Sequence, residues 1–177
     1  IDNDIEQTII TPLAQVFRNN NFDIQPVLAT LFKSKHFYDM GYSSACIIKS
    51  PLDFVIGLCN EFKVVMPAGS DSAATYAVWE SIRYEAGEMQ QELGAIPEVA
   101  GWYAYYQEPA FHELWVNTAI YTRRAVFTDR MIADGITHTN QTIQVDPIAF
   151  ADQFANPGNP NLLINDSLEI LLRYPLS

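Results

Sequence analysis

Apolar residues recur at helical spacing over most of this chain. Ile9, Leu13, Val16 and Phe17 share one side of a helix, and Asn19-Asn20-Asn21 forms a polar stop after them. Asp23 is placed to cap the next helix, where Ile24, Val27, Leu28, Leu31 and Phe32 make an amphipathic stripe. Ser50-Pro51-Leu52-Asp53 combines a hydroxyl cap, a proline at the first helical position and an acid in the first turn. Leu52, Val55, Ile56, Cys59 and Phe62 then form the buried face of that helix. Pro67-Ala68-Gly69 breaks the chain, and Ser70 or Asp71 opens a long helix through Val78, Ile82, Ala86, Met89 and Leu93, with Gly94 placed to end it. After a loop, Pro109 is expected to begin a second long helix reaching Ala133, closed by Asp134-Gly135. The threonine-rich run from Thr137 to Val145 alternates weakly and predicts one short strand or an extended arm. Asn156-Pro157-Gly158-Asn159-Pro160 is a turn cluster before a last helix, Leu162 to Leu172. The predicted fold is mostly α: an irregular multi-helix bundle with one short extended or β segment near 137–145, in a single helical domain over 1–177.

Composition narrows the partners more than the fold. The 177 residues are 49% apolar and 18% charged, a folded composition, and no apolar run approaches the roughly 20 residues that span a bilayer. The net charge of -11, from 21 acids against 10 bases, repels phosphate backbones and anionic lipid, so nucleic acid and membrane insertion are excluded as expectations. Cys46 and Cys59 are too few for a disulfide scaffold and read as two buried thiols; one disulfide between them requires an extracytoplasmic setting. His36, His112 and His138 are scattered, with no HExxH and no calcium loop, so no metal and no cofactor is expected. GxSxG, phosphate-loop and GxGxxG patterns are absent from the sequence. The chain starts at Ile1 without an initiator methionine, and its end runs out of a helical pattern without a polar tail. Both ends are expected to be cuts through a longer protein.

Four blocks together carry a family resemblance: Phe22-Asp23-Ile24 through Phe37 (FDIQPVLATLFKSKHF); Ile48 to Phe54 (IKSPLDF); Met89 to Leu93 with Pro97 to Trp102; and Leu114-Trp115-Val116-Asn117-Thr118 with Arg123 or Arg124. Over roughly residues 1–132 the chain resembles the C-terminal portion of the bacterial proteins grouped as domain of unknown function 1800, in their Bacteroidetes form. Two departures stand out: many relatives have glycine where Gln90 stands, and Pro-Pro-Asn where Ile96-Pro97-Glu98 stands. The resemblance implies a longer protein with an N-terminal half elsewhere, and a periplasmic, cell-surface or secreted location. It implies no reaction.

Candidate chemistry concentrates between Gly94 and Asn117, where aromatic side chains crowd a predicted loop. Trp102, Tyr103, Tyr105 and Tyr106 can stack on the apolar C–H face of a sugar or on a peptide, with Glu98, Gln107 and Glu108 near for its polar groups. His112 beside Glu113 has the makings of a general base, and on the expected helix Glu113, Asn117 and Arg124 share one face. The structural alternative is that Gly101 supplies a positive φ or a close backbone approach that lets the Trp102 indole fold back onto the helices, making the segment a joint between two long helices. The leading functional expectation is a helical interaction module of the cell envelope with a protein or carbohydrate partner. The alternative is one part of an extracellular hydrolase whose other site residues lie in the N-terminal half.

Overall fold

The computed structural model describes residues 3–38, 47–67, 72–106, 111–138 and 140–172, and its contacts separate into two compact units, 1–46 and 47–177. The fold is mostly α, with one short antiparallel hairpin. In the first unit a helical turn (Asn3–Ile5) and a wide π turn (Glu6–Ile10) lead into helix α1 (Thr11–Asn19). The polar stop works as a left-handed cap. Asn21 sits at φ +53°, the Phe22 N–H returns to the Phe17 carbonyl at 2.9 Å, and the two phenyl rings close edge-on at 5.3 Å. Asp23 then caps α2 (Ile24–Phe32) by accepting from the Gln25 N–H at 2.9 Å. Of the predicted stripe, Val27 and Leu31 are half-buried, while Ile24, Leu28 and Phe32 stay exposed.

The second unit holds the core. Ser50 caps α3 (Pro51–Glu61), accepting from the Asp53 N–H at 3.2 Å and donating to its carboxylate at 2.8 Å. Val55 and Cys59 are buried beneath α4 (Ser72–Glu88), whose Val78, Ile82 and Ala86 fall inward at the predicted spacing. Cys59 is a free thiol whose ionisation burial pushes up; Cys46 lies outside the described residues, as do Ala68, Gly69, Ser70 and Asp71. Helix α5 (Thr118–Ala133) adds Ile120, Phe127 and Met131 to the same cluster. The threonine-rich run is a hairpin rather than one strand: β1 (Ile136–His138) pairs with β2 (Gln141–Ile143), placing Ile136 opposite Ile143, both buried. Gly135 joins α5 to it at φ +71°, where an added Cβ would lie 2.5 Å from the Ile143 carbonyl oxygen, so only glycine fits. A short helix unforeseen in the sequence, α6 (Pro147–Ala151), is capped by Asp146 and sets Phe150 against Phe62, ring centroids 4.6 Å apart. Asn159 caps the last helix, α7 (Pro160–Leu171).

Two helix boundaries differ from expectation, and both shape the site. Helix α4 ends at Glu88, well before Gly94. Gln90 takes the left-handed position at φ +73°, its N–H bonding the Gly87 carbonyl at 2.8 Å while the Gln91 N–H bonds Ala86 at 3.0 Å. This is the glycine-type helix stop made with glutamine. The next long helix starts at Thr118 rather than at Pro109, which with Gln107, Glu108 and Ala110 lies outside the described residues. Asn117 is extended (φ -134°, ψ 176°), and its side chain accepts from the N–H groups of Ala119 and Ile120 at 3.0 and 2.9 Å. The asparagine captures the first orphan amides of α5, which fixes the start there.

Candidate functional site

The early end of α4 releases an extended run in which consecutive side chains separate. Gln90 and Glu92 face a surface cleft, and Gln91 between them turns inward until only 1% of it is exposed. Its carbonyl oxygen accepts from the Leu52 N–H at 2.8 Å, one of the amides that the start of α3 leaves open. Its amide nitrogen donates to the Tyr105 hydroxyl at 3.0 Å. Gln91 is therefore a strut from the first turn of α3 to the aromatic segment.

That segment begins with a tight turn from Glu98 to Gly101, closed by the Gly101 N–H on the Glu98 carbonyl at 3.0 Å. Gly101 stands at φ +113°, and an added Cβ would meet nothing closer than a Tyr105 ring carbon at 3.7 Å, so the backbone angle and not crowding requires glycine. Two 3-10 turns follow, Tyr103–Tyr105 and Phe111–Trp115. Trp115 is the anchor at 4% exposure. Tyr105 meets it edge-on at 5.8 Å and meets Trp102 edge-on at 6.2 Å, while Tyr103 and Tyr106 form a separate edge-on pair at 5.9 Å. These offset geometries suit the ring quadrupoles and hold the rings in place. The Tyr103 hydroxyl donates to the Glu98 carboxylate at 2.9 Å, and that bond, reinforced by the negative charge, pushes the phenol's ionisation above its ordinary range.

Between the extended run and the aromatic turns lies a cleft of about 430 Å³. Its apolar walls are Ala95, Pro97, Trp102, Tyr103, Ala104, Leu114 and Trp115, and its polar edges are Gln90, Glu92 and Asn117. The volume is in the range of small-molecule sites, about 300–1,000 Å³. Of the residues expected to bind, Trp102, Tyr103 and Asn117 line it. Tyr105 and Tyr106 do not, and Glu108 lies outside the described residues. Gln90, Glu92, Pro97 and Leu114 complete the walls; the unexpected end of α4 hid them from the sequence pattern.

The expected acid-base group is dispersed. The ring nitrogen Nδ1 of His112 accepts from the Ile48 N–H at 3.2 Å, which ties the segment before α3 to the second 3-10 turn. Glu113 is exposed on that turn and does not line the cleft. Because the backbone breaks at Asn117, Glu113, Asn117 and Arg124 do not share one helical face. Arg124 is a bracket instead. It donates to the carbonyls of Lys49 at 2.6 Å and Trp115 at 3.3 Å, and its guanidinium lies 4.7 Å over the Phe54 ring. Burial holds its ionisation below the ordinary arginine range. Among the described residues no group of three or more His, Cys, Asp or Glu is placed to hold a metal ion, and no helix is long and apolar enough to cross a membrane.

Comparison with known proteins gives a family and no activity. Residues 1–177 match the family described as "Protein of unknown function (DUF1800)", and the chain belongs to it. No curated protein and no solved structure matches.

Proposed function

We propose that this DUF1800 member is a non-catalytic binding module of a secreted or cell-envelope protein, and that it holds a carbohydrate in the cleft between residues 90–97 and the aromatic turns. The observation that carries the reading is the composition of that cleft: the rings of Trp102 and Tyr103 on one side, and the polar edges Gln90, Glu92 and Asn117 around them. A sugar ring presents an apolar C–H face and a polar hydroxyl rim, and this wall matches both. Size favours a saccharide over a folded protein partner, since a stable protein interface covers about 800 Å² on each side, whereas this is a concave site of small-ligand volume. A non-catalytic role is favoured because the side chains suited to acid-base work are engaged elsewhere: Glu98 with Tyr103, and the His112 Nδ1 with a backbone amide.

Titration of the wild-type protein with a panel of soluble neutral oligosaccharides tests the proposal. At least one is expected to bind, and Trp102→Ala combined with Tyr103→Ala is expected to weaken it about tenfold or more, because two ring contacts of roughly 0.5–1.5 kcal/mol each are removed. Binding unchanged in the double variant, or absent from the wild type at millimolar sugar, contradicts the proposal.

A further inference from the structure

Resting on that reading and deepening it, we infer that the cleft selects neutral saccharides over acidic sugars. The selection comes from two polar side chains whose bonding is already half committed. Asn117 has spent its oxygen on the amides of Ala119 and Ile120, so what it offers the cleft is its N–H₂ group, a donor and not an acceptor. The two backbone donors fix which end of the amide points where. Glu92 has one carboxylate oxygen on the Arg83 guanidinium, and its other oxygen remains an acceptor for the cleft it lines. Arg83 is shared between Glu80 and Glu92, and these bonds push its ionisation up, so it is not a loose cation that a carboxylate on the ligand can claim.

A donor at Asn117 and an acceptor at Glu92 beside an aromatic wall suit a ligand whose groups both give and receive hydrogen bonds. Hydroxyls do this. A uronate carboxylate can satisfy Asn117 but meets Glu92 as a like charge, and among the described residues no free cation lines the cleft to offset it. Arg83, shared between Glu80 and Glu92, does not cancel both carboxylates. An ammonium meets Glu92 as an opposite charge, so amino sugars are not selected against.

Calorimetric titration of the whole chain at neutral pH decides the matter, with three probe sets: neutral oligomers of glucose, mannose, galactose and xylose; oligogalacturonate; and oligomers of glucosamine. The best neutral oligomer is expected to bind at least about tenfold tighter than oligogalacturonate. Asn117→Asp is the informative variant, because aspartate caps a helix as well as asparagine does while replacing the donor by an acceptor. Its melting temperature is expected to match the wild type, and its affinity for the neutral oligomer to fall about tenfold. Oligogalacturonate binding as tightly as the neutral oligomers, or undiminished binding by a well-folded Asn117→Asp protein, overturns the selectivity and leaves the saccharide cleft standing. If none of the three sets binds the wild type, the cleft reading falls and the selectivity falls with it.

Discussion

Replacing Trp115 by alanine is expected to destabilise the second unit by about 3–5 kcal/mol, the range for emptying an interior tryptophan site. Trp115 is 4% exposed, receives the edge of Tyr105 at 5.8 Å, and has its carbonyl held by Arg124 at 3.3 Å. Little around it can collapse into the space, because the neighbouring backbone is fixed by the Asn117 cap on one side and the His112 bond to Ile48 on the other. Urea unfolding should show the loss as a lower midpoint at unchanged slope. In a thermal scan a loss of this size lowers the melting temperature by on the order of 10 °C. Trp102, only half-buried at the cleft wall, should cost clearly less when truncated. A Trp102→Ala protein less stable than Trp115→Ala would reverse the assignment of inner anchor and outer wall.

The second large effect is expected at Gln91. Gln91→Leu keeps most of the side-chain volume but removes both bonds of the strut, the acceptor for the Leu52 N–H and the donor to the Tyr105 hydroxyl. A buried amide left without its partner costs about 1–3 kcal/mol, and the lost bond to Tyr105 adds about 0.5–1.5 kcal/mol. Tyr105→Phe removes only the second of these, so it should be the milder change. In a double-mutant cycle the two substitutions should couple, since they share one hydrogen bond. Equilibrium unfolding of the three variants checks this; a cost below about 1 kcal/mol for Gln91→Leu, or strict additivity with Tyr105→Phe, removes the strut from the account.

Much of the architecture could be read from local chemistry. Ser50-Pro51, Asp23 and the Asn19-Asn20-Asn21 stop behave as their side chains dictate, because a cap is decided by residues within one turn of it. Val55 and Cys59 of α3 and Val78, Ile82 and Ala86 of α4 are buried as periodicity expects, but Ile56, expected on the same face of α3, stays exposed. What periodicity missed was set by competition between nearby signals. Gly94 looked like the helix stop, yet α4 ends where Gln90 can adopt the left-handed turn and Gln91 can reach the first turn of α3, a contact 39 residues away in sequence. Pro109 looked like a helix start, yet Asn117 is the residue whose side chain captures the leading amides of α5.

The candidate site was legible in kind more than in membership. The aromatic loading between Gly94 and Asn117 marked the region that lines the cleft, and Gly101 has a positive φ. Gln91 and Trp115 are buried, and the half-exposed Tyr105 bonds the one and packs edge-on against the other, which ties the segment to the first turn of α3. Sequence could not separate the rings that make this tie from those that wall the cleft, since all lie within a few residues of each other. That division is a matter of which ring the Gln91 strut holds.

The most direct measurement follows the three indole N–H resonances of Trp79, Trp102 and Trp115 by NMR while a neutral oligosaccharide is added. Trp102 lines the cleft, Trp115 lies at its buried edge, and Trp79 belongs to a different groove beside Tyr76 and Leu93. The account predicts a large, saturable shift at Trp102, a smaller one at Trp115 and none at Trp79. A shift confined to Trp79, or no indole shift at saturating sugar, would contradict it.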